Sequence, residues 1–341
     1  MFNEVILHIG TTKTGTTAIQ TALIGARQKL KADGIHYPVG PRITKQFEGQ
    51  KEVHGNAIEI VTRFIRNKDL TPDVEGLEQS LKEFLDGVEA RCAVFSDEAL
   101  AGVDADGLTA LSNALNPYTN KVRIIFFLRH IVDHALSQYG EFVRRRRMHL
   151  PFKDFVHQFK FSFKNTYDKY CAVFGAENVQ LVSFNAVGDV PSFFFKDILE
   201  TDVVPQPGIR NRSLCLEEME LVRSLTKDYH PNEIMALAKE LVKSPPLSSS
   251  RLTATQHSAD VLAHRFQADL DYLNERLPEG QKLKMMSDTV ISETDPQDRD
   301  DLVPELAKRL ANLTMASLTK AKMPPQMRRA KRRMRQLAKN S

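Results

Sequence analysis

Two stretches of this chain carry residues able to hold phosphate. The first is Gly10-Thr11-Thr12-Lys13-Thr14-Gly15-Thr16-Thr17. Its glycines keep the spacing of a Walker A loop, G-x-x-x-x-G-K-[ST], whose lysine reaches the β and γ phosphates of a nucleoside triphosphate. Here Thr16 stands at the lysine position, and the only lysine of the loop is Lys13. The anion cradle is kept while its charge sits three residues earlier. That suits a nucleotide whose reactive group is attached directly to the 5′-phosphate. Thr16 and Thr17 add hydroxyl donors. The plain alternative is a capped Gly/Thr turn with no ligand. The second stretch is Arg129 with Ser137, eight residues on. An arginine clamps phosphate bidentately and a serine hydroxyl can donate to the same group. Alone, the pair could be a salt-bridged arginine and an ordinary helix serine. Together with the loop it supplies a second phosphate site on one ligand.

The elements around both stretches are those that expose an anion site. Glu4 to Ile9 is apolar and rich in β-branched residues, as a buried parallel strand is. Thr16 to Leu30 follows with Ile19, Leu23, Ala26 and Leu30 at helical spacing. Strand, Gly-rich turn and helix N-terminus aim free backbone N–H groups and a helix dipole at an anion. Further strands are expected at Arg91–Ser96, Lys121–Leu128 and Val179–Phe184. Helices are expected at 74–89, 105–115, 131–148 and 152–174. This alternation predicts an α/β fold, a P-loop-like central parallel sheet flanked by helices, with ligands beyond the carboxyl ends of the strands. From Pro205 the chain reads as a mainly helical C-terminal half, with helices over 216–229, 231–243, 259–277, 303–318 and 325–338. Residues 244–250 form a loop between them. The organisation expected is a nucleotide-binding core over 1–210 and a continuous helical extension over 211–341.

Lys13-Thr14-Gly15-Thr16-Thr17 matches K-[ST]-G-T-[ST], and Arg129 with Ser137 matches an arginine that ends a strand with a serine eight residues later. Together they resemble the sulfotransferases that use 3′-phosphoadenosine 5′-phosphosulfate (PAPS). Leu7 through Gln20, Tyr37-Pro38, and Asn211-Arg-Ser-Leu214 leading into 217–225 are similar to bacterial members related to carbohydrate sulfotransferases. The resemblance covers roughly residues 1 to 225. It implies that Thr12, Lys13, Thr14, Gly15, Thr16 and Thr17 hold the 5′-phosphosulfate, and that Arg129 and Ser137 bind the 3′-phosphate. It implies PAPS as co-substrate, adenosine 3′,5′-bisphosphate as product, a carbohydrate or glycolipid hydroxyl as acceptor, and no metal. Lys13 would neutralise charge that grows as sulfate leaves.

The acceptor hydroxyl needs a base. His54 lies in the loop region after the first helix, where related carbohydrate enzymes place a catalytic His or Glu. Glu98 ends the Ser96-Asp97-Glu98 strand terminus at the ligand edge of the sheet. Both stand as candidates, against a plain loop histidine and a first-turn helix acid. His36, His130 and His134 read as structural.

The 341 residues, 42% hydrophobic, allow a large core. Three widely spaced cysteines form neither a disulfide framework nor a zinc site, so a reducing, cytoplasmic compartment is expected. No apolar run is long enough to span a membrane, and no cleaved leader is expected. Net charge is +4, unevenly placed. Eleven Lys and Arg residues follow Glu305 with no acid among them, which leaves 36 basic against 43 acidic residues, a net of −7, in the remainder. Met327, Ala330, Met334 and Leu337 make an apolar stripe between the tail's cations. Such a helix suits an anionic membrane surface at the inner face, a partner helix or its own domain. Nucleic acid is disfavoured, since no recognition fold accompanies the charge. Arg144–Arg147 reads as helix C-terminal charge, or as attraction for an acidic acceptor. The rival functions are a P-loop kinase, disfavoured by Thr16, and a non-catalytic nucleotide-binding scaffold.

Overall fold

The computed structural model describes residues 1–292, apart from 12, 50–53, 66–70, 147, 207–211, 228 and 288–290. The helices expected over 303–318 and 325–338, with the basic tail, lie outside the described residues. Five strands form one wholly parallel sheet: β1 (Glu4–Ile9), β2 (Ile35–His36), β3 (Cys92–Asp97), β4 (Val122–Leu128) and β5 (Val179–Ser183). Their spatial order is β2-β3-β1-β4-β5. β1 is therefore central. The chain builds one side of the sheet through β2 and β3, then crosses to the other through β4 and β5. In such sheets the crevice at the carboxyl ends opens where this order switches, here on both sides of β1. Helices flank the sheet, as the alternating pattern predicts. β4 is apolar from Ile124 to Leu128 because both faces are covered, and all five of those residues are buried.

Several helices begin on a carboxylate that accepts an N–H of the first turn. Asp73 accepts from Gly76, Asp104 from Gly107 and Asp189 from Ser192. The helix expected over 152–174 is broken into Phe152–Gln158 and Phe163–Phe174. Arg265 satisfies the end of the first piece: its guanidinium bonds the carbonyls of Val156 and Phe159. Phe159 and Phe161 then turn inward onto Phe266, with ring centroids 5.8 and 5.5 Å away. Helices at Pro41–Glu48 and Val190–Phe193 are too short for periodicity to reveal. His36 bonds the Phe84 carbonyl at 2.8 Å.

The chain divides into two compact units. One comprises Met1–Tyr139, Pro151–Arg210 and Thr253–Ser292 and contains the sheet; the other includes Gly140–Leu150 and Asn211–Leu252. In the second unit, Arg212 forms a bidentate pair with the fully buried Glu218, at 2.6 and 2.8 Å. Glu218 also accepts the amides of Cys215 and Leu247, and Arg212 bonds the Ser244 carbonyl. The 244–250 loop is thereby fixed to the start of the Leu216–Leu225 helix. Arg144 and Arg145 both pair with Glu141, at 2.8 and 2.6 Å. Cys92 and Cys215 are buried and Cys171 is half-buried.

Two imidazoles are enclosed in the first unit. His8 of β1 is fully buried beside Phe127 and Phe194, and His134 packs on Phe159 and Phe163. Burial holds both rings down to about 3; for His134 the charges of Arg129 and Lys13 add to it. The folded protein therefore keeps them neutral where the unfolded chain, with an ordinary midpoint of 6.5, takes up protons. Their contribution to stability is intact above pH 6.5 and is lost as pH falls toward 3. Between pH 7 and 5 the two rings together cost about 3–4 kcal/mol. Urea denaturation at the two pH values measures this, and His134→Leu is expected to halve the loss. An unchanged loss in that variant contradicts the assignment.

Candidate functional site

The phosphate loop leaves the end of β1 and curls tightly enough to dictate its residues. A Cβ on Gly10 would fall 2.1 Å from the Thr16 hydroxyl, so the loop closes only over a glycine. Lys13 adopts a left-handed φ of 71° and Gly15 one of 82°. Gly15 costs nothing there, whereas Lys13 holds a conformation that lysine rarely takes. Thr14 is fully buried and donates to the Thr11 carbonyl at 2.7 Å. Thr16 is buried with its hydroxyl 3.4 Å from the same carbonyl, and Thr17 is exposed. The Thr14 and Thr16 hydroxyls thus brace the loop from inside. Thr12 lies outside the described residues. The helix Thr16–Gly25 begins without a side-chain cap, and Gly15 accepts from the amides of Ala18 and Ile19. The amides of Thr16 and Thr17 precede that ladder, in the position from which helix N-termini bind anions.

β4 delivers Arg129 to the same place. Its Nη1 donates to the Lys13 carbonyl at 2.9 Å. Burial pushes the guanidinium's pKa down, and the nearby Asp133 carboxylate opposes that shift. Its Nε is buried with no hydrogen-bond partner. The guanidinium also lies over the Phe184 ring, 5.0 Å from the centroid. Phe184 follows β5, and a Cβ on Gly15 would approach its ring to 3.2 Å. One aromatic ring therefore packs between loop and arginine. Sequence reading placed Phe184 at a strand end without assigning it a role; its position at the carboxyl edge was the available signal. Ser137 stands half-buried two turns into the helix Ile131–Arg146.

The first turn of that helix is strapped from a distance. The amide of Lys284 donates to His130 Nδ1 at 3.2 Å, Val132 donates to the Met285 carbonyl at 2.9 Å, and Asp133 accepts the Ser287 amide at 2.9 Å and its hydroxyl. No local pattern in residues 284–287 announces this return.

The segments that carry the two candidate bases meet at the end of β3, next to the strand that feeds the loop. β1 and β3 pair in register with Ile9 opposite Asp97, so Asp97 lies one strand spacing from the residue before Gly10. Glu98, half-buried, opens a 3-10 turn over Glu98–Gly102. The carbonyls of that turn are held by Tyr170, which bonds Leu100 at 2.9 Å, and by Lys169, which bonds Ala101 at 3.3 Å. His54 is exposed, and the segment after it is bolted to the end of β3. Gly55 donates to Asp97 Oδ2 at 3.0 Å. Asn56 accepts from the Ser96 amide at 2.8 Å and donates to the carbonyls of Pro38 and Val94. A Cβ on Gly55 would fall 1.6 Å from the Ser96 carbonyl oxygen, which no side chain tolerates. Asp97, 4% exposed, was not singled out by sequence.

The site thus combines a glycine-lined cradle with a cation, an open helix N-terminus, and a second cation tied to the cradle. A cavity of about 230 Å³ lies at the amino ends of the strands, lined by Glu4, Arg91, Lys121 and Arg123 among others. Its cations are already engaged: Arg123 and Lys121 with Glu4, and Arg91 with the Leu199 carbonyl. Among the described residues, no group of three His, Cys, Asp or Glu is placed to hold a metal ion.

No family model matches the chain, and no curated protein matches it in sequence. Among solved structures, it is similar to a sulfotransferase from Alicyclobacillus acidocaldarius at 19% identity, over 72% of this chain and 97% of that one, with a TM-score of 0.38. It is similar to the sulfotransferase domain from the curacin biosynthetic pathway at 11% identity, over 78% of this chain and 97% of that one, with a TM-score of 0.34. Retinol dehydratase in complex with androsterone and the inactive cofactor PAP matches at 12% identity, over 94% of this chain and 82% of that one, with a TM-score of 0.24. At these levels of similarity the chemistry of the site rests on its own residues.

Proposed function

We propose that this chain is a sulfotransferase, which moves the sulfuryl group of PAPS to a hydroxyl of a carbohydrate or glycolipid acceptor. The observation that carries the reading is the 2.9 Å bond from Arg129 to the Lys13 carbonyl, which ties the arginine of the second candidate stretch to the loop of the first. PAPS supplies an activated sulfate: a new acceptor O–S bond forms in line as the O–S bond to the 5′-phosphate breaks, releasing adenosine 3′,5′-bisphosphate. Lys13 stands in the loop where negative charge grows on the departing phosphate oxygens. The amides of Thr16 and Thr17 hold the 5′-phosphate, and Arg129 with Ser137 the 3′-phosphate. His54 or Glu98 takes the acceptor proton. Positioning and charge stabilisation supply most of the rate, as in phosphoryl transfer. No described helix is long and apolar enough to cross a membrane. Contact of residues 325–341 with an anionic membrane surface belongs to this proposal.

The test is a panel of saccharides and glycolipids incubated with sulfur-labelled PAPS. Label is expected on an acceptor, with release of the bisphosphate. Phosphate transfer from Mg·ATP to the same panel would make the protein a kinase. Nucleotide binding with no transfer to any acceptor would make it a scaffold. His54→Ala and Glu98→Gln, compared on the acceptor found, separate the two bases.

A further inference from the structure

The carboxylate of Asp97 bonds to both candidate base segments at once. Its Oδ2 accepts from Gly55, the residue after His54, at 3.0 Å, and its Oδ1 accepts from Ala99, the residue after Glu98, at 2.7 Å. Each oxygen keeps a lone pair, since a carboxylate accepts about four hydrogen bonds. We infer that Asp97 is the positioning residue of the acceptor-side base: it fixes the peptide that follows His54 and holds that imidazole beside the phosphate loop. The inference rests on the proposed transfer reaction and assigns the base to His54.

Three observations support it. The register of Ile9 with Asp97 sets this carboxylate directly beside the residue before Gly10. Gly55 lies so close to the Ser96 carbonyl that the segment has one way to seat, and the bonds of Asn56 to Ser96, Val94 and Pro38 lock it. The charges are also coupled. Burial raises the pKa of Asp97, and the Ala99 amide, the His54 ring and the Gly55 amide oppose the rise. Among the described residues, the other titratable groups near Asp97 are Tyr37, from beyond β2, and Glu98, next in sequence. His8 of β1 contacts the neighbouring Ser96 at 2.8 Å.

The test is Asp97→Asn, which keeps the size of the side chain and one oxygen while removing the charge. The NMR signals of the His54 ring, assigned by their loss in His54→Gln, report the placement of the ring without any reaction. They are expected to move in Asp97→Asn, where one of the two amide bonds accepted by the carboxylate is lost. With an acceptor in hand, kcat is expected to fall about 10- to 100-fold at unchanged KM for PAPS. Asp97→Asn should cost little more in the His54→Gln background. Unmoved ring signals overturn the inference, as does a full additional rate loss in that background. Should Asp97→Asn fail to fold, Asp97→Glu replaces it: displaced ring signals with reduced kcat support the inference, and a wild-type rate overturns it. Failure of the wild type to transfer sulfate to any acceptor would sink the proposed reaction instead, and the NMR shift would then decide whether Asp97 holds His54.

Discussion

Lys13→Ala is expected to lower sulfuryl transfer about a thousandfold, with the affinity for adenosine 3′,5′-bisphosphate changed about tenfold or less. The reason is differential. A cation set where charge develops stabilises the transition state more than the bound nucleotide, and removal of a single such donor costs about 100- to 1000-fold in rate. The backbone provides a control that a structural role could not imitate. Lys13 sits at a φ of 71°, a left-handed conformation that costs a non-glycine residue about 1 kcal/mol. Lys13→Gly is therefore expected to unfold at the same or a slightly higher urea concentration than the wild type while being as inactive as Lys13→Ala. A residue kept for the fold would give the opposite pairing, with stability lost and residual rate retained. Single-turnover rates and urea midpoints of the three proteins measure both arms. A rate above one tenth of wild type in either variant would remove Lys13 from the reaction.

Arg129→Ala is expected to weaken binding of adenosine 3′,5′-bisphosphate by about 2–5 kcal/mol, the usual consequence of deleting a buried, hydrogen-bonded charge from an ion-binding site. Three things leave with the guanidinium: the charge proposed to face the 3′-phosphate, the bond to the Lys13 carbonyl, and the contact with Phe184. The first is separable from the others by ligand choice. The wild type should prefer the bisphosphate strongly over adenosine 5′-monophosphate, and Arg129→Ala should bind the two alike. Arg129→Lys should not restore the preference, because an ammonium cannot offer the planar fork that reaches a phosphate and a carbonyl together. Calorimetric titration of both nucleotides decides this. Equal losses for both would mean that Arg129 only braces the loop.

The parts of this site differ in how far they could be read from the chain. β1 and its loop were legible because everything that defines them is local: an apolar run, two glycines and an amphipathic helix within thirty residues. The parallel sheet followed from alternation, and Arg129 from its place at a strand end. What stayed hidden depends on contacts distant in sequence. The Gly55 amide meets Asp97 across 42 residues, Arg265 ends a helix 106 residues before it, and the 284–287 strap returns over 154 residues to the start of the Arg129 helix. Thr14 is a short-range case: the resemblance placed it among the residues of the phosphate loop, and the curl of the loop turns its hydroxyl onto the Thr11 carbonyl. His54 and Glu98 were both chosen from sequence, and the Asp97 carboxylate accepts the amide of the residue after each.

The most direct measurement of the central claim compares two nucleotides with the same number of phosphates. Adenosine 3′,5′-bisphosphate and ADP differ in where the second phosphate is attached. A clamp built from the Lys13 loop at one end and Arg129 with Ser137 at the other should bind the 3′,5′-bisphosphate at least about 100-fold more tightly, with no dependence on Mg²⁺. Calorimetric titration of the full chain that instead showed tighter, Mg²⁺-dependent binding of ADP would contradict the account.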